Sequence, residues 1–181
     1  MDEPSDPVTP ARLRVMRIIV FAQIMGLLVF AGAVAYIVQS HKPAGRTGTM
    51  FSIMALALTA AGATASLAFP RFVQLQQLRR IARGEWRPPP RVAESAYATD
   101  AAKLFAVYLS TMIMGLALVE GAGFCCCIAY LLEGQPYVLA LLAIALVLQI
   151  GRFPTESGVR GWMERQLDFL EQERRRMQTP G

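Results

Sequence analysis

The residue with the clearest chemical potential is Glu120, a carboxyl group inside a long apolar run. Near the middle of a membrane helix, an acidic side chain costs about 2.5–3.5 kcal/mol on insertion scales, so such groups usually face a protein interior, a cavity or a partner. No other charged residue lies at comparable depth in an apolar run. The expected partners are therefore uncharged side chains of the other runs: Gln23, Ser52, Thr59, Thr64 and Gln149.

Two hypotheses for Glu120 follow from its position. A protonated Glu120 would form an interhelical hydrogen bond that fixes packing, worth about 0.6–2 kcal/mol. An ionisable Glu120 would instead bind and release a proton or Na⁺, because ionisable groups inside membranes are functional candidates by default. The sequence leaves both open.

The cysteines Cys125, Cys126 and Cys127 follow on the same run. Successive helical residues point about 100° apart, so three adjacent thiols cannot converge on one metal ion. We interpret them as small, polarizable packing residues. The chain has no P-loop and no GxSxG, HExxH or CxxC motif, and its single His lies in a short polar turn. The sequence thus indicates no metal, no cofactor and no catalytic constellation, which favours a non-enzymatic role.

The elements that must position Glu120 are apolar helices. Of the 181 residues, 54% are apolar and 17% are charged, whereas soluble domains carry about 25% charged residues. This composition excludes a disordered chain, a disulfide scaffold and an ordinary soluble enzyme. At about 1.5 Å per residue, some 20 helical residues cross a hydrocarbon core of about 30 Å. We predict an all-α integral membrane protein with four transmembrane helices as two antiparallel hairpins, at residues 18–39, 49–69, 104–132 and 136–153.

The basic residues predict the orientation of these helices. The tail 1–17, the loop 70–103 and the segment from Arg152 onward hold three, seven and six of the 18 Lys and Arg residues, and the two short turns hold two. By the positive-inside rule, both termini and the long loop are cytoplasmic, at the plasma (inner) membrane. The first part of the loop, RFVQLQQLRRIARGEW, allows an alternative in which the second helix continues until Gly84.

Residues 155–177 have the pattern of an amphipathic cytoplasmic helix. Thr155 is a suitable N-cap, and apolar residues recur at helical spacing from Val159 to Leu170. One interpretation is a helix that lies on the inner membrane surface with Trp162 at headgroup level. The other is a docking or self-association helix. Anionic headgroups, rather than nucleic acid, are the expected partners of the lipid-surface residues: Arg79, Arg80, Arg83, Trp162, Arg174, Arg175 and Arg176.

The stretch ALVEGAGF around Glu120, followed by CCCIAYLL, resembles the carboxylate-bearing helix of the proteolipid c subunit of rotary ATP synthases. The preceding helix, MALALTAAGATASLA, is similar to that family in its density of Ala and Gly. The likeness covers residues 117–132 and implies that Glu120 corresponds to the ion-carrying carboxylate. The chain as a whole resembles small uncharacterised bacterial four-helix membrane proteins.

The sequence thus favours a multi-pass membrane protein with a structural or interaction role in the bilayer. Small residues at four-residue spacing, such as Ala57/Ala61/Ala65 and Ala122/Cys126, favour close helix packing within the chain, in a homo-oligomer or with a membrane partner protein. The alternative is a proton- or Na⁺-translocating or coupling subunit that uses Glu120.

Overall fold

The computed structural model describes residues 9–40, 48–88 and 97–178, and the regular structure within them is helical, without strands. Three of the helices are long and apolar enough to cross a membrane, whereas the fourth has 14 residues, about 21 Å of helix. The all-α prediction is confirmed. The five helices are α1 (Pro10–Ser40), α2 (Met50–Ala82), α3 (Asp100–Glu133), α4 (Tyr137–Ile150) and α5 (Glu156–Gln178).

The α2 helix is longer than the predicted membrane span, because it continues through Pro70 to Ala82. Residues 70–82, which the sequence places in the basic loop, are therefore helical, as the alternative allowed. Two residues after the end of α2, Gly84 adopts a φ of 73°, which is accessible to glycine without strain. The Gly84 N–H donates to the Ile81 carbonyl, and the Glu85 N–H donates to the Arg80 carbonyl. This pair of bonds is a Schellman motif, which satisfies carbonyls that the helix end leaves free.

The described residues form two compact units, and the first contains those within Arg17–Phe69 and Ile113–Phe153. We call it the apolar unit, because its described charged residues are four: Arg17, Glu120, Glu133 and Arg152. Within it, α3 runs antiparallel to α2 and parallel to α1, as the side-chain contacts below show. Its buried core is formed by Leu27, Val34, Ala55, Cys126, Cys127, Ala129, Val138 and Leu142.

The inward face of α2 consists of small residues at helical spacing. A Cβ added at Gly62 would lie 3.1 Å from the Leu118 carbonyl oxygen and 3.2 Å from the Ala122 Cβ, so α2 and α3 approach closely there. Ala122 thus packs within the chain, whereas Ala57 and Ala61 are exposed on another face of α2. The inward face comprises Ser52, Ala55, Thr59, Gly62 and Ser66.

The second unit, the basic unit, contains the described residues of Met1–Met16, Pro70–Met112 and Pro154–Gly181. Its helical segments come from the start of α1, the end of α2, the start of α3 and all of α5. Residues 104–112, the first nine of the predicted third span, belong to this unit rather than to the apolar unit. Leu104 and Val107 of this stretch are buried in the core of the basic unit. The core consists of Leu13, Met16, Leu78, Ile81, Ala82, Leu104, Val107, Val159, Met163 and Leu170.

The α5 helix begins as the sequence predicts, with Thr155 as its N-cap. The Thr155 hydroxyl accepts a hydrogen bond from the Gly158 N–H at 3.2 Å, and its carbonyl accepts the first helical bond, from Val159, at 3.0 Å. Such a cap satisfies donors that a helix start leaves free. The apolar face of α5 is buried in the core of the basic unit, with Met163 and Leu170 almost fully covered.

Candidate functional site

The Glu120 carboxyl group faces α1 inside the apolar unit. It is hydrogen-bonded to the side chain of Gln23. A Cβ added at Gly26, one turn further along α1, would lie 3.9 Å from Glu120 Oε1. Glu120 is half-buried, and within the described residues no cationic side chain forms an ion pair with it. Of the five uncharged partners that the sequence suggests, the structure thus places Gln23 beside the carboxyl group.

Thr59 meets the cysteine triplet instead of Glu120. Its hydroxyl donates to the Ala55 carbonyl at 2.7 Å and lies 3.3 Å from the sulfur of Cys126. A hydroxyl has one proton to donate, so the Cys126 thiol is the donor to Thr59. Cys126 and Cys127 are buried and Cys125 is half-buried, in agreement with their interpretation as packing residues. Thr64 is exposed and bonds a carbonyl of its own helix.

Ser52 bonds Glu133, a residue that the sequence places in the turn after the third helix. The backbone N–H groups of Phe51 and Ser52 donate to the two carboxylate oxygens at 2.7 and 2.8 Å, and the Ser52 hydroxyl donates as well. Glu133 is only 6% exposed. A carboxylate suits this position because the first N–H groups of a helix have no helical partner and form its positive end. No local pattern reveals the contact, since 81 residues separate Glu133 from Ser52.

Arg152 compensates for the proline inside α2. Pro70 has no N–H, so the Ser66 carbonyl, four residues earlier, lacks its normal helical donor. Arg152 Nη2 donates to that carbonyl at 2.8 Å and to the Ser66 hydroxyl oxygen at 2.9 Å. The sequence predicts a second span that ends just before Pro70 and a fourth that ends near Arg152. The structure joins these two ends through Ser66.

Gln149 is a buried polar residue whose partner is missing from the described residues. Its side chain is 0% exposed, and neither its amide nitrogen nor its amide oxygen is hydrogen-bonded there. The oxygen of the Gln23 amide is also buried without a partner in the described part of the chain. Leaving a buried donor or acceptor unpaired costs about 1–3 kcal/mol.

These polar groups lie in the same region of the apolar unit. Gly62 of α2 packs against Leu118 and Ala122 of α3, which flank Glu120, and Ser66 follows Gly62 by about one helical turn. Arg152 bonds Ser66, and Gln149 precedes it by one helical turn. Each of the four helices therefore contributes to one set of groups, which we call the polar layer: Gln23, Ser66, Glu120, Gln149 and Arg152.

The proposed lipid-surface residues divide into two sets. Arg79, Arg80, Arg83 and Arg176 are exposed. The others have partners within the chain: the Trp162 ring lies 5.0 Å from that of Tyr108, Arg174 forms an ion pair with Asp100 at 2.6 Å, and Arg175 lies 3.8 Å from Glu171.

Of the two interpretations of α5, the structure favours docking, and the surface on which α5 docks belongs to the same chain. Its apolar face is buried in the core of the basic unit, so this face is not free to lie on a membrane. The ion pair of Arg174 with Asp100 holds the same helix against the start of α3. The hydrogen bond from Arg174 lowers the pKa of Asp100, more than partial burial raises it.

The polar layer combines a carboxyl group, two amides, a hydroxyl and a guanidinium in apolar surroundings. Such a set can join helices by hydrogen bonds or hold an exchangeable proton, since interactions are stronger where water is scarce. It offers no nucleophile paired with a base, the arrangement that covalent catalysis requires. Comparisons of the chain with protein-family models, with curated proteins and with solved structures yield no match.

Proposed function

We propose that the chain is a four-span membrane protein, with α1 to α4 in the bilayer and both termini on the cytoplasmic side. Residues 113–133 of α3 measure about 30 Å at 1.5 Å per residue, the thickness of a hydrocarbon core. Segments 17–40 and 49–69 of the same unit are of similar length. The strong bias of Lys and Arg toward the tails and the 70–103 segment supports the orientation.

The short α4 helix fits this arrangement because its end is held inside the unit. Arg152 bonds Ser66, three residues before Phe69. The chain from Tyr137 to Arg152 thus extends from the turn after α3 to within about one helical turn of the end of the second span.

We further propose that the protein is a non-enzymatic component of the membrane whose helices are held together around Glu120. The observation that carries this proposal is the hydrogen bond between Glu120 and Gln23, which joins the first and third helices within an otherwise apolar unit. A protonated Glu120 would also donate to the free Gln23 oxygen, so that acid and amide bond reciprocally. The neutral acid therefore suits this site better than the carboxylate does.

The second candidate is a proton- or Na⁺-coupling subunit. It is favoured by the half-exposure of Glu120, because a group that exchanges an ion must have an access route. The cytoplasmic arginines Arg79, Arg80, Arg83 and Arg176 would contact anionic headgroups in either case. The exposed Ala57 and Ala61 on α2 are available to a second copy or to a membrane partner protein.

A double-mutant cycle tests the first proposal. The free energy of unfolding in detergent micelles is measured for the wild-type protein and for the variants Glu120→Leu, Gln23→Leu and the double variant. Glu120→Gln serves as the variant that keeps the hydrogen bond. We expect a coupling energy of about 0.6–2 kcal/mol between the two positions. Additive effects of the two substitutions would contradict a structural role.

A hydrophobic carbodiimide separates the two candidates. It labels a protonated carboxyl group in the membrane, so Na⁺ or raised pH should protect Glu120 if the residue exchanges ions. Proteoliposomes that contain the wild-type protein or the E120Q variant are then compared for proton and Na⁺ flux. Equal flux together with labelling that Na⁺ does not alter supports the structural role. Flux that the E120Q variant loses supports ion coupling.

A further inference from the structure

Arg152 is a half-buried cation without a carboxylate partner among the described residues. One of its nitrogens, Nη2, makes both hydrogen bonds to Ser66. The described part of the apolar unit offers two carboxyl groups, and both are engaged elsewhere: Glu120 with Gln23 and Glu133 with the start of α2. No carboxylate in the described part of the apolar unit thus neutralises the charge of Arg152. Partial burial of an uncompensated charge is unfavourable.

The guanidinium has donors left that can bind an oxyanion. A guanidinium carries five N–H donors, and the two bonds from Nη2 to Ser66 leave those of Nη1 and Nε available. These two nitrogens point to different sides of the group, so each can give a single charge-assisted hydrogen bond to a phosphate oxygen. Because Arg152 is already held by Ser66, little side-chain freedom remains to be lost when an anion binds.

The surroundings of Arg152 indicate where the anion comes from. Four large apolar residues close to Ser66 or Arg152 in the sequence are exposed: Leu67, Phe69, Ile150 and Phe153. Exposed apolar surface of this kind suits acyl chains, whereas a free phosphate ion would gain nothing from it. A phospholipid offers both parts, with a phosphate next to two acyl chains.

We propose that Arg152 binds the phosphate of a membrane phospholipid whose acyl chains lie against these four side chains. The inference rests on the proposed placement of α2 and α4 in the bilayer. The lipid supplies the missing counterion at the point where α4 ends. The site differs from the exposed arginines of α2 and α5, because Arg152 is fixed in position and partly shielded from water.

The test measures lipid binding in a background that keeps the protein folded. Pro70→Ala restores a backbone donor for the Ser66 carbonyl, so Arg152→Met in that background does not leave the carbonyl unpaired. Native mass spectrometry from detergent then counts bound dioleoylphosphatidylglycerol on the P70A and P70A/R152M proteins. We expect the second protein to bind the lipid about tenfold more weakly, the effect of losing a charge-assisted hydrogen bond. Arg176→Met, which removes an exposed arginine, serves as the matched control and should leave binding unchanged.

Other probes separate the phospholipid from alternative ligands. Dioleoylglycerol, which lacks the phosphate, should bind weakly to both proteins, and inorganic phosphate should not displace the lipid. Equal lipid binding by the P70A and P70A/R152M proteins would overturn the proposal, as would full displacement by inorganic phosphate. If instead the proposed position of α1 to α4 in the bilayer is wrong, a different result is expected. The protein would then be washed out of the membrane fraction without detergent.

Discussion

The bond between Arg152 and the Ser66 carbonyl should make the cost of losing Arg152 depend on Pro70. Ser66 is 3% exposed, so without Arg152 its carbonyl has neither water nor a backbone donor. An unpaired buried acceptor costs about 1–3 kcal/mol. In the P70A background, residue 70 donates to this carbonyl through its own N–H. Arg152→Met should therefore destabilise the wild-type protein by about 1–3 kcal/mol more than it destabilises the P70A protein.

The double-mutant cycle consists of the wild-type, P70A, R152M and P70A/R152M proteins. Their free energies of unfolding can be measured in mixed detergent micelles, with circular dichroism as the probe. An isotope label at the Ser66 carbonyl adds a local readout, because its amide I band shifts to higher frequency when the hydrogen bond is lost. This shift is expected for R152M and not for P70A/R152M. Equal destabilisation in the two backgrounds, with an unchanged carbonyl band, would refute the idea that Arg152 replaces the missing helical bond.

Three further predictions concern other contacts. Glu133→Ala removes the acceptor for the Phe51 and Ser52 N–H groups and should lower the free energy of unfolding by about 2–3 kcal/mol in the same assay. Glu133→Gln keeps an acceptor and should cost less. Equal costs would contradict the capping role. Gly62→Ala should destabilise the protein by about 1–3 kcal/mol, because the added methyl group would lie 3.1 Å from a carbonyl oxygen of α3. The control Gly32→Ala places its methyl group in open space and should be neutral or stabilising. Because the pKa of Asp100 is lowered in the folded protein, the stability that its ion pair with Arg174 contributes is present above the ordinary value near 4 and is lost as pH falls through the lower folded value. Hydrogen exchange in α5 should therefore rise in acid. Asp100→Asn removes the titrating group and should remove this pH dependence, whereas an unchanged pH dependence in the variant would contradict the role of Asp100.

The sequence predicts well what depends on neighbouring residues. Apolar runs locate the three long helices, Gly84 marks the end of α2, and Thr155 caps α5, because each signal acts within a few residues. Gln23 was among the five candidate partners of Glu120, since an apolar run contains few groups that can bond a carboxyl. Composition alone could reduce the possible hydrogen-bond partners of Glu120 to five residues. Selecting Gln23 among them requires the register of the helices.

Two kinds of contact could not be predicted from the sequence, for different physical reasons. The burial of Leu104 and Val107 in the core of the basic unit cannot be read from composition, because the interior of a protein and the interior of a bilayer select the same side chains. The partners of Glu133 and Arg152 lie 81 and 86 residues away. Such contacts depend on which helix faces which, and no spacing rule within a helix contains that information.

The link between Arg152 and Ser66 also bears on how the protein is made. During synthesis, α2 emerges long before Arg152, which follows Ser66 by 86 residues. Until Arg152 arrives, the Ser66 carbonyl of the second helix lacks the donor that it has in the folded protein. A nascent chain that stops after α3 is therefore incomplete in its second helix as well as in its fourth. In the proposed four-span arrangement, the last segment to enter the bilayer completes the second helix.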